Sequence, residues 1–185
     1  MRLIHTSDWH LGRSLHGVDL TEHQVGYLDH LVDLTRQTRP AAVVVSGDVY
    51  DRAVPPVSAV RLLEESLTRL AELAQVIVIS GNHDSAVRLG FAAGLMRPEI
   101  ELVTRLDQIG RAIELADAGG GPGALVYPVP FLDVYAAARH FSAGDQGVGS
   151  DAAGAVGGSD AVGGIGGSGG AQAGGGGADG AGGAG

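Results

Sequence analysis

The sequence predicts an α/β fold. Three short apolar runs, at residues 2–6, 42–46 and 75–80, have the composition of strands, and helical patterns separate them. A cluster of polar residues follows each run directly. In an open α/β sheet, binding sites form outside the carboxyl ends of the strands, so we expect the three clusters to be neighbours in space.

The first predicted helix covers residues 21–38. An apolar stripe at steps of three and four residues indicates it: Val25, Leu28, Val32 and Thr35. Thr21 and Gln24 have the spacing of a capping box, and Pro40 ends the helix. The helix therefore connects the first two predicted strands.

A second helix is predicted after the turn at Pro55 and Pro56, where Ser58 would cap it. Its apolar face consists of leucines at helical spacing: Leu62, Leu63, Leu67, Leu70 and Leu73. After Asp84 the pattern weakens. It indicates a short helix over 86–96, strands at 100–103 and 112–115, an extended segment at 125–130 and a last helix over 133–141.

Composition divides the chain after residue 143. Residues 144–185 contain 20 of the 32 glycines and neither arginine nor an aromatic residue. Such a segment cannot bury enough apolar surface to offset its ordering entropy, so we predict a disordered Gly/Ala-rich linker or tail. Residues 1–143 are long enough to bury a core and form the predicted folded domain.

The formal net charge of −9 argues at first sight against a nucleic-acid partner, because phosphate-binding surfaces are usually basic. Several of the acids are candidate metal ligands, however, whose charge a divalent cation would neutralise. The chain has no cysteine, which excludes disulfides and thiolate metal sites. Since it shows no signal-peptide core and no apolar stretch of about 18 residues, we expect a cytoplasmic protein.

Three polar clusters carry the chemistry: Asp8-x-His10, Gly47-Asp48-x-x-Asp51 and Gly81-Asn82-His83-Asp84. One such pattern alone is common on protein surfaces, but three that follow successive strands are not. Asp8 and His10 lie two residues apart, which on an extended segment sends both side chains to one side. Asp48 has two carboxylate oxygens and can bind two cations about 3.5–4 Å apart. Together the clusters indicate a two-metal phosphoesterase site.

These clusters resemble the calcineurin-like metallophosphoesterase superfamily, whose pattern is D-x-H, G-D-x-x-D and G-N-H-D/E, followed by two histidine-bearing segments. Within it the resemblance is closer still to the D subunits of the bacterial SbcCD nuclease, which are kin to double-strand-break repair nucleases. The segments that carry the similarity are 5–12, 47–56, 81–85 and 128–132. The resemblance implies a metallophosphoesterase sandwich, of which the chain would form the front half, over about residues 1–135.

The resemblance also implies the ligands of the metal ions. Asp8 and His10 would hold one ion, Asp48 would bridge two, and Asn82 would help to hold the second. The expected cofactors are two divalent ions. Manganese is the expected metal, with magnesium as the alternative, because mixed carboxylate, amide and imidazole ligands suit it.

By the same resemblance His83 is the catalytic histidine, which stabilises the transition state or protonates the leaving oxygen, and Asp84 would orient its ring. Arg13 and Arg52 flank the ligand loops, where they would contact DNA phosphates or simply face solvent. Trp9 would either support the site by packing or lie against DNA, and we favour packing.

The superfamily pattern continues with Gly-His and Gly-x-His-x-His segments that this sequence lacks, and we interpret the remaining downstream histidine, His140, as a surface residue. The predicted function is that of a metal-dependent DNA exonuclease and endonuclease subunit acting on double-stranded ends and hairpins in DNA repair, recombination and replication. Its predicted partners are DNA, an SbcC-like coiled-coil ATPase subunit and a second copy of the full-length subunit. The alternatives are a calcineurin-like phosphodiesterase on small substrates and an inactive truncated fragment.

Overall fold

The computed structural model describes residues 1–117, 121 and 123–145. Its elements in chain order are β1 (Leu3–Thr6), β2 (Ser14–Leu15), β3 (Val18–Asp19), α1 (Thr21–Thr38), β4 (Ala42–Ser46), α2 (Val57–Ala71), β5 (Gln75–Ile79), α3 (Ala86–Leu89), β6 (Ile100–Val103), β7 (Ile113–Leu115), β8 (Ala124–Val126) and α4 (Val134–Asp145). Short 3₁₀ turns lie at Ala93–Leu95 and Leu106–Gln108.

A four-stranded sheet with the order β1–β4–β5–β6 forms the centre of this part of the chain. Its neighbouring strands are parallel, and the register pairs Thr6 with Val45 and Val45 with Val78. Parallel strands end at the same edge of a sheet, so the loops that follow β1, β4 and β5 begin side by side. The predicted α/β fold is confirmed.

Side chains of the central strands alternate between two covered faces. One face packs against α1 and α2 through Val43, Val45, Val76 and Val78. The other face packs Ala42 and Ile77 against the hairpin of β7 and β8, at Ile113 and Leu115. Because both faces are buried, β4 and β5 are apolar at nearly every position and lack the alternation of a half-exposed strand.

The start of α1 differs from the prediction. The Asp19 carboxylate accepts the backbone N–H of Thr21 at 2.8 Å, so Thr21 does not cap the helix and Gln24 does not complete a capping box. Within the helix Val25 is 38% exposed, and Leu31 is buried in the stripe instead. The Gln24 side chain turns toward the loop after β1, because that loop offers it backbone partners.

Two further helix predictions need correction. α2 begins at Val57, directly after Pro56, so Ser58 lies inside the first turn and does not cap it. The single helix predicted over 86–96 is broken into α3 and a separate 3₁₀ turn, because Ala92 between them has a left-handed φ of 60°. A residue in this conformation cannot continue a right-handed helix.

A short hairpin was not predicted. β2 and β3 pair antiparallel within the connection between β1 and α1. His16 and Gly17, at the turn, have φ angles of 51° and 82°. Positive φ at both central residues is typical of a type I′ turn, which Asn-Gly or Asp-Gly would have signalled more clearly than His-Gly.

The C-terminal helix α4 runs to Asp145, beyond its predicted end at residue 141. The rest of the predicted tail at 144–185 lies outside the described residues, so its disorder and the domain boundary after residue 143 stay predictions. None of the helices in the described ranges is long and apolar enough to cross a membrane.

Candidate metal centre

The loops that leave β1 and β4 run side by side beyond the sheet. The backbone N–H of Asp8 donates to the carbonyl oxygen of Gly47 at 3.1 Å, and that of His10 donates to the carbonyl oxygen of Asp48 at 2.9 Å. These bonds continue the strand pairing past the ends of β1 and β4. They place the first two polar clusters next to each other.

The loop after β5 approaches the loop after β4 at two glycines. A Cβ on Gly81 would meet both the backbone nitrogen and Oδ1 of Asp48 at 2.2 Å. Gly47 has a φ of 89°, and a Cβ there would lie 2.8 Å from the Cα of Gly81. A larger residue at either position would push the loops apart, so both positions need glycine. This close approach brings the third cluster to the other two.

The carboxylate of Asp84 joins these two loops. It accepts the backbone N–H groups of Val49 at 3.1 Å, Tyr50 at 2.9 Å and Gly81 at 2.8 Å. The expectation that Asp84 orients the ring of His83 is therefore not what the structure shows. Burial raises the pKa of Tyr50 to about 12, with a further contribution from the nearby Asp84 carboxylate.

The ring of His83 is held instead by a backbone oxygen. Its Nδ1 lies 2.9 Å from the carbonyl oxygen of Asp51, and its backbone N–H donates to Oδ1 of Asp48 at 3.0 Å. Because a carbonyl oxygen only accepts, Nδ1 carries the hydrogen and Nε2 remains free for other chemistry. The hydrogen bond to the Asp51 carbonyl raises the pKa of His83, and the carboxylates of Asp48 and Asp51 raise it further.

Three side chains from the three loops converge. The metal-ligating atoms of His10, Asp48 and His83 all lie within 4.8 Å of one another. Nε2 of His10 is 3.8 Å from Oδ1 of Asp8 and 4.0 Å from Oδ2 of Asp48. The rings of His10 and His83 meet edge to face, with centroids 4.8 Å apart. The structure thus brings Asp8, His10, Asp48 and His83 together.

This donor set fits a divalent metal ion. Two carboxylates lie within 4.0 Å of one imidazole nitrogen, and a cation between them would neutralise their charge. The other nitrogen of His10, Nδ1, is buried without a hydrogen-bond partner in the described part of the chain, and Oδ1 of Asp51 lies 3.8 Å from it. A carboxylate in this place commonly orients a metal-bound histidine. Oxygen and imidazole donors suit Mn²⁺, Mg²⁺ or Zn²⁺.

Backbone strain is concentrated at the same residues. Asp8, His10 and Asp48 have φ angles of 57°, 45° and 50°, in the left-handed region. Each such conformation costs about 1–3 kcal/mol and persists only where surrounding contacts enforce it. Such strain gathers at functional sites, and here it falls on three of the predicted metal ligands.

Of the remaining predicted site residues, three are exposed and Trp9 is buried. Asn82 is exposed on the loop between Gly81 and His83. Arg13 and Arg52 are also exposed, and Nε of Arg13 lies 3.8 Å from Oδ1 of Asp51. Trp9 is only 5% exposed, and its indole N–H donates to the hydroxyl of Thr6 at 2.9 Å. Trp9 therefore supports the loop by packing.

Two residues contact the site although neither was assigned a role in it from the sequence. Asp51 holds His83 through its carbonyl and faces His10 and Arg13 through its carboxylate. Gln24 binds the loop after β1 through both ends of its amide. The G-D-x-x-D spacing marked Asp51 as part of a motif, whereas nothing in the helical pattern pointed to Gln24.

Carboxylates and imidazoles gathered at the carboxyl edge of a parallel α/β sheet form the arrangement expected of a metal-dependent phosphoester hydrolase. A family model described as calcineurin-like phosphoesterase matches residues 1–142, so the chain belongs to this family. Membership implies hydrolysis of phosphoesters with the help of divalent metal ions.

Proposed function

We propose that the chain is the catalytic part of a DNA nuclease subunit similar to the D subunit of the SbcCD complex. It would hydrolyse phosphodiester bonds at double-stranded ends and hairpins in DNA repair, recombination and replication, and it would act in the cytoplasm. The main support for this proposal is the convergence of His10, Asp48 and His83, whose ligand atoms lie within 4.8 Å of one another. The similarity to D subunits at residues 5–12 and 128–132, beyond the bare ligand clusters, favours DNA as the substrate.

The surroundings of the cluster support a phosphate-bearing substrate. A groove of about 430 Å³ opens beside Asp8 and His10 and is bordered by Arg13 and by α1 at His23. Arg52 is exposed on the neighbouring loop after β4. Guanidinium groups beside an open groove can contact the phosphates that flank the bond to be cleaved.

The proposed cofactors are two manganese ions, with magnesium as the alternative. Such ions neutralise the charge of the phosphate and activate water for attack on phosphorus. Asp8 and His10 would hold one ion, Asp48 would bridge the two, and Asn82 would contribute its amide oxygen to the second.

His83 would act on the leaving oxygen. The carbonyl of Asp51 occupies its Nδ1, so Nε2 is free to carry and donate a proton, and the raised pKa of His83 favours the protonated ring. The distances around His83 also allow it to bind metal. The substitution His83→Gln distinguishes the two roles, because a general acid is needed for turnover and a ligand is needed for metal binding.

The proposed protein partners are an SbcC-like coiled-coil ATPase subunit and a second copy of the full-length subunit. Exposed apolar side chains around α3 support a protein contact there, since Val87, Phe91 and Leu95 are 85%, 80% and 87% exposed. Sedimentation of the chain beside a Phe91→Ser variant tests self-association. A monomer at high micromolar concentration in both would contradict self-association of this chain through the apolar residues around α3.

One alternative function has an observation in its favour. A groove of about 430 Å³ is large enough for a single nucleotide or another small phosphodiester, since small-molecule sites span about 300–1,000 Å³. The chain could then be a calcineurin-like phosphodiesterase on small substrates.

The test is cleavage of end-labelled duplex DNA by the purified chain at millimolar Mn²⁺, beside Asp48→Ala and with a chromogenic phosphodiester in parallel. The sequence lacks the later histidine segments, and Asp8, His10, Asp48 and Asn82 fill few of the about ten to twelve coordination positions of two ions. We therefore expect weak Mn²⁺ binding and slow cleavage that Asp48→Ala abolishes. Hydrolysis of the chromogenic substrate without DNA cleavage would favour the small-substrate enzyme, and equal cleavage by Asp48→Ala would refute the site.

A further inference from the structure

Gln24 connects α1 to the loop that carries His10. Its Nε2 donates to the carbonyl oxygen of His10 at 2.6 Å and more weakly to that of Trp9 at 3.3 Å. Its Oε1 accepts the backbone N–H of Gly12 at 3.1 Å. The side chain is partly buried, so water replaces these contacts only in part. One amide group thus contacts the backbone of three residues in the loop between β1 and β2: Trp9, His10 and Gly12.

The loop is held on its other side by the loop after β4. The N–H of His10 donates to the carbonyl of Asp48 at 2.9 Å, and the N–H of Leu11 donates to the carbonyl of Val49 at 2.9 Å. His10 therefore has its N–H fixed by one loop and its carbonyl fixed by Gln24. Its φ of 45° lies in the left-handed region, which is uncommon for residues other than glycine and costs free energy that these contacts offset.

A second contact from the same helix face supports this arrangement. The hydroxyl of Tyr27, one turn after Gln24, lies 2.6 Å from the hydroxyl of Thr6, which accepts the indole N–H of Trp9 at 2.9 Å. Residues three apart on a helix lie on the same face. α1 therefore holds the loop at two points, and of these Gln24 is the one bonded to the peptide of His10 itself.

We propose that Gln24 is a positioning residue of the metal centre, which fixes the His10 peptide in its left-handed conformation and so aims the imidazole at Asp8 and Asp48. The proposal rests on the metal-dependent function proposed above. Position 24 needs a side chain as long as glutamine that carries both a hydrogen-bond donor and an acceptor. Glutamate would keep the acceptor for Gly12 but set a carboxylate oxygen against the His10 carbonyl, and methionine would fill the space without either bond.

The experiment compares the full chain with Gln24→Met, Gln24→Glu and a control, Glu22→Gln, which changes an exposed residue in the same helical turn. Mn²⁺ binding is measured by electron paramagnetic resonance of the free ion, and amide hydrogen exchange is measured on the metal-free proteins. We expect both Gln24 variants to bind Mn²⁺ about 10–100-fold more weakly, the usual effect of losing a group that orients a metal ligand. The amides of His10 and Leu11 should exchange faster in both variants, and the control should match the unaltered chain.

Two results would overturn the proposal. One is an unchanged Mn²⁺ affinity in Gln24→Met, whether or not its melting temperature falls, because a purely structural role lowers stability without altering binding by the folded fraction. The other is unchanged protection of the His10 and Leu11 amides. Failure of the unaltered chain to bind Mn²⁺ would instead refute the metal-dependent function, and hydrogen exchange would then decide alone whether Gln24 positions His10.

Discussion

Replacing Asp84 with alanine should destabilise the fold as well as slow catalysis. Its carboxylate accepts three backbone N–H groups, at 2.8–3.1 Å, from the loops after β4 and β5. Alanine would leave Val49, Tyr50 and Gly81 without this acceptor. The same two loops carry Asp48 and His83, so loosening them would also disturb the site.

The size of the stability loss follows from these three hydrogen bonds. A hydrogen bond to a charged group contributes about 1.5–3 kcal/mol to stability. The three bonds share one partly buried carboxylate, and water would replace part of them, so their contributions do not simply add. We therefore expect Asp84→Ala to lower the free energy of unfolding by about 2–4 kcal/mol. Asp84→Asn should cost about 1–2 kcal/mol, because an amide oxygen at the Oδ2 position keeps two acceptor contacts while the NH₂ group faces only the N–H of Tyr50.

The assay is urea unfolding of the metal-free chain followed by circular dichroism, with Glu114→Ala as a control on an exposed strand position. The expected order of stability is the unaltered chain together with the control, then Asp84→Asn, then Asp84→Ala. If Asp84 served only to orient His83, Asp84→Ala would be as stable as the unaltered chain and only its turnover would fall. That result would show that the three hydrogen bonds of Asp84 do not stabilise the loops after β4 and β5.

Three other predictions concern the site itself. Asp48→Ala should remove Mn²⁺-dependent hydrolysis while leaving the circular dichroism spectrum unchanged. Hydrolysis at the original rate would contradict the assignment of Asp48 as a metal ligand. His83→Gln should keep its metal ions and lose turnover by about 10²–10⁴-fold, as for a lost general acid, whereas loss of metal in a calorimetric titration would make His83 a ligand. Folding raises the pKa of His83 above its usual 6.5, so its contribution to stability is fully present below pH 6.5 and is lost as the pH rises through the raised pKa. An NMR titration of the metal-free chain that places this pKa at or below 6.5 would contradict the role of the Asp51 carbonyl.

The sequence was sufficient to predict the strands that position the site. β4 and β5 are short apolar runs covered on both faces, and within two residues of its end each is followed by a Gly, with a polar residue directly after it. A run of this kind is a clear strand signal even over five residues. Because parallel strands end at one edge, the neighbourhood of the three clusters followed from topology alone.

The contacts that fix the site could not be predicted in the same way. Asp84 binds Val49 and Tyr50 from more than 30 residues away, and Gln24 binds the loop of His10 from the next helix. Such side-chain to backbone bonds have no periodicity, so a capping box was the only local interpretation available for Gln24. The predicted cap at the start of α1 was wrong for a similar reason. The carboxylate of Asp19, at the end of the unpredicted hairpin, accepts the backbone N–H of Thr21.

The most direct test of the proposed metal centre is the position of manganese in the protein. Crystals of the chain soaked in MnCl₂ and measured at the manganese absorption edge would show each ion by its anomalous scattering. We expect a peak within bonding distance of the carboxylate of Asp48 and the imidazole of His10, between the loops after β1 and β4. An ordered site without a peak there, in a crystal that binds manganese elsewhere, would contradict it.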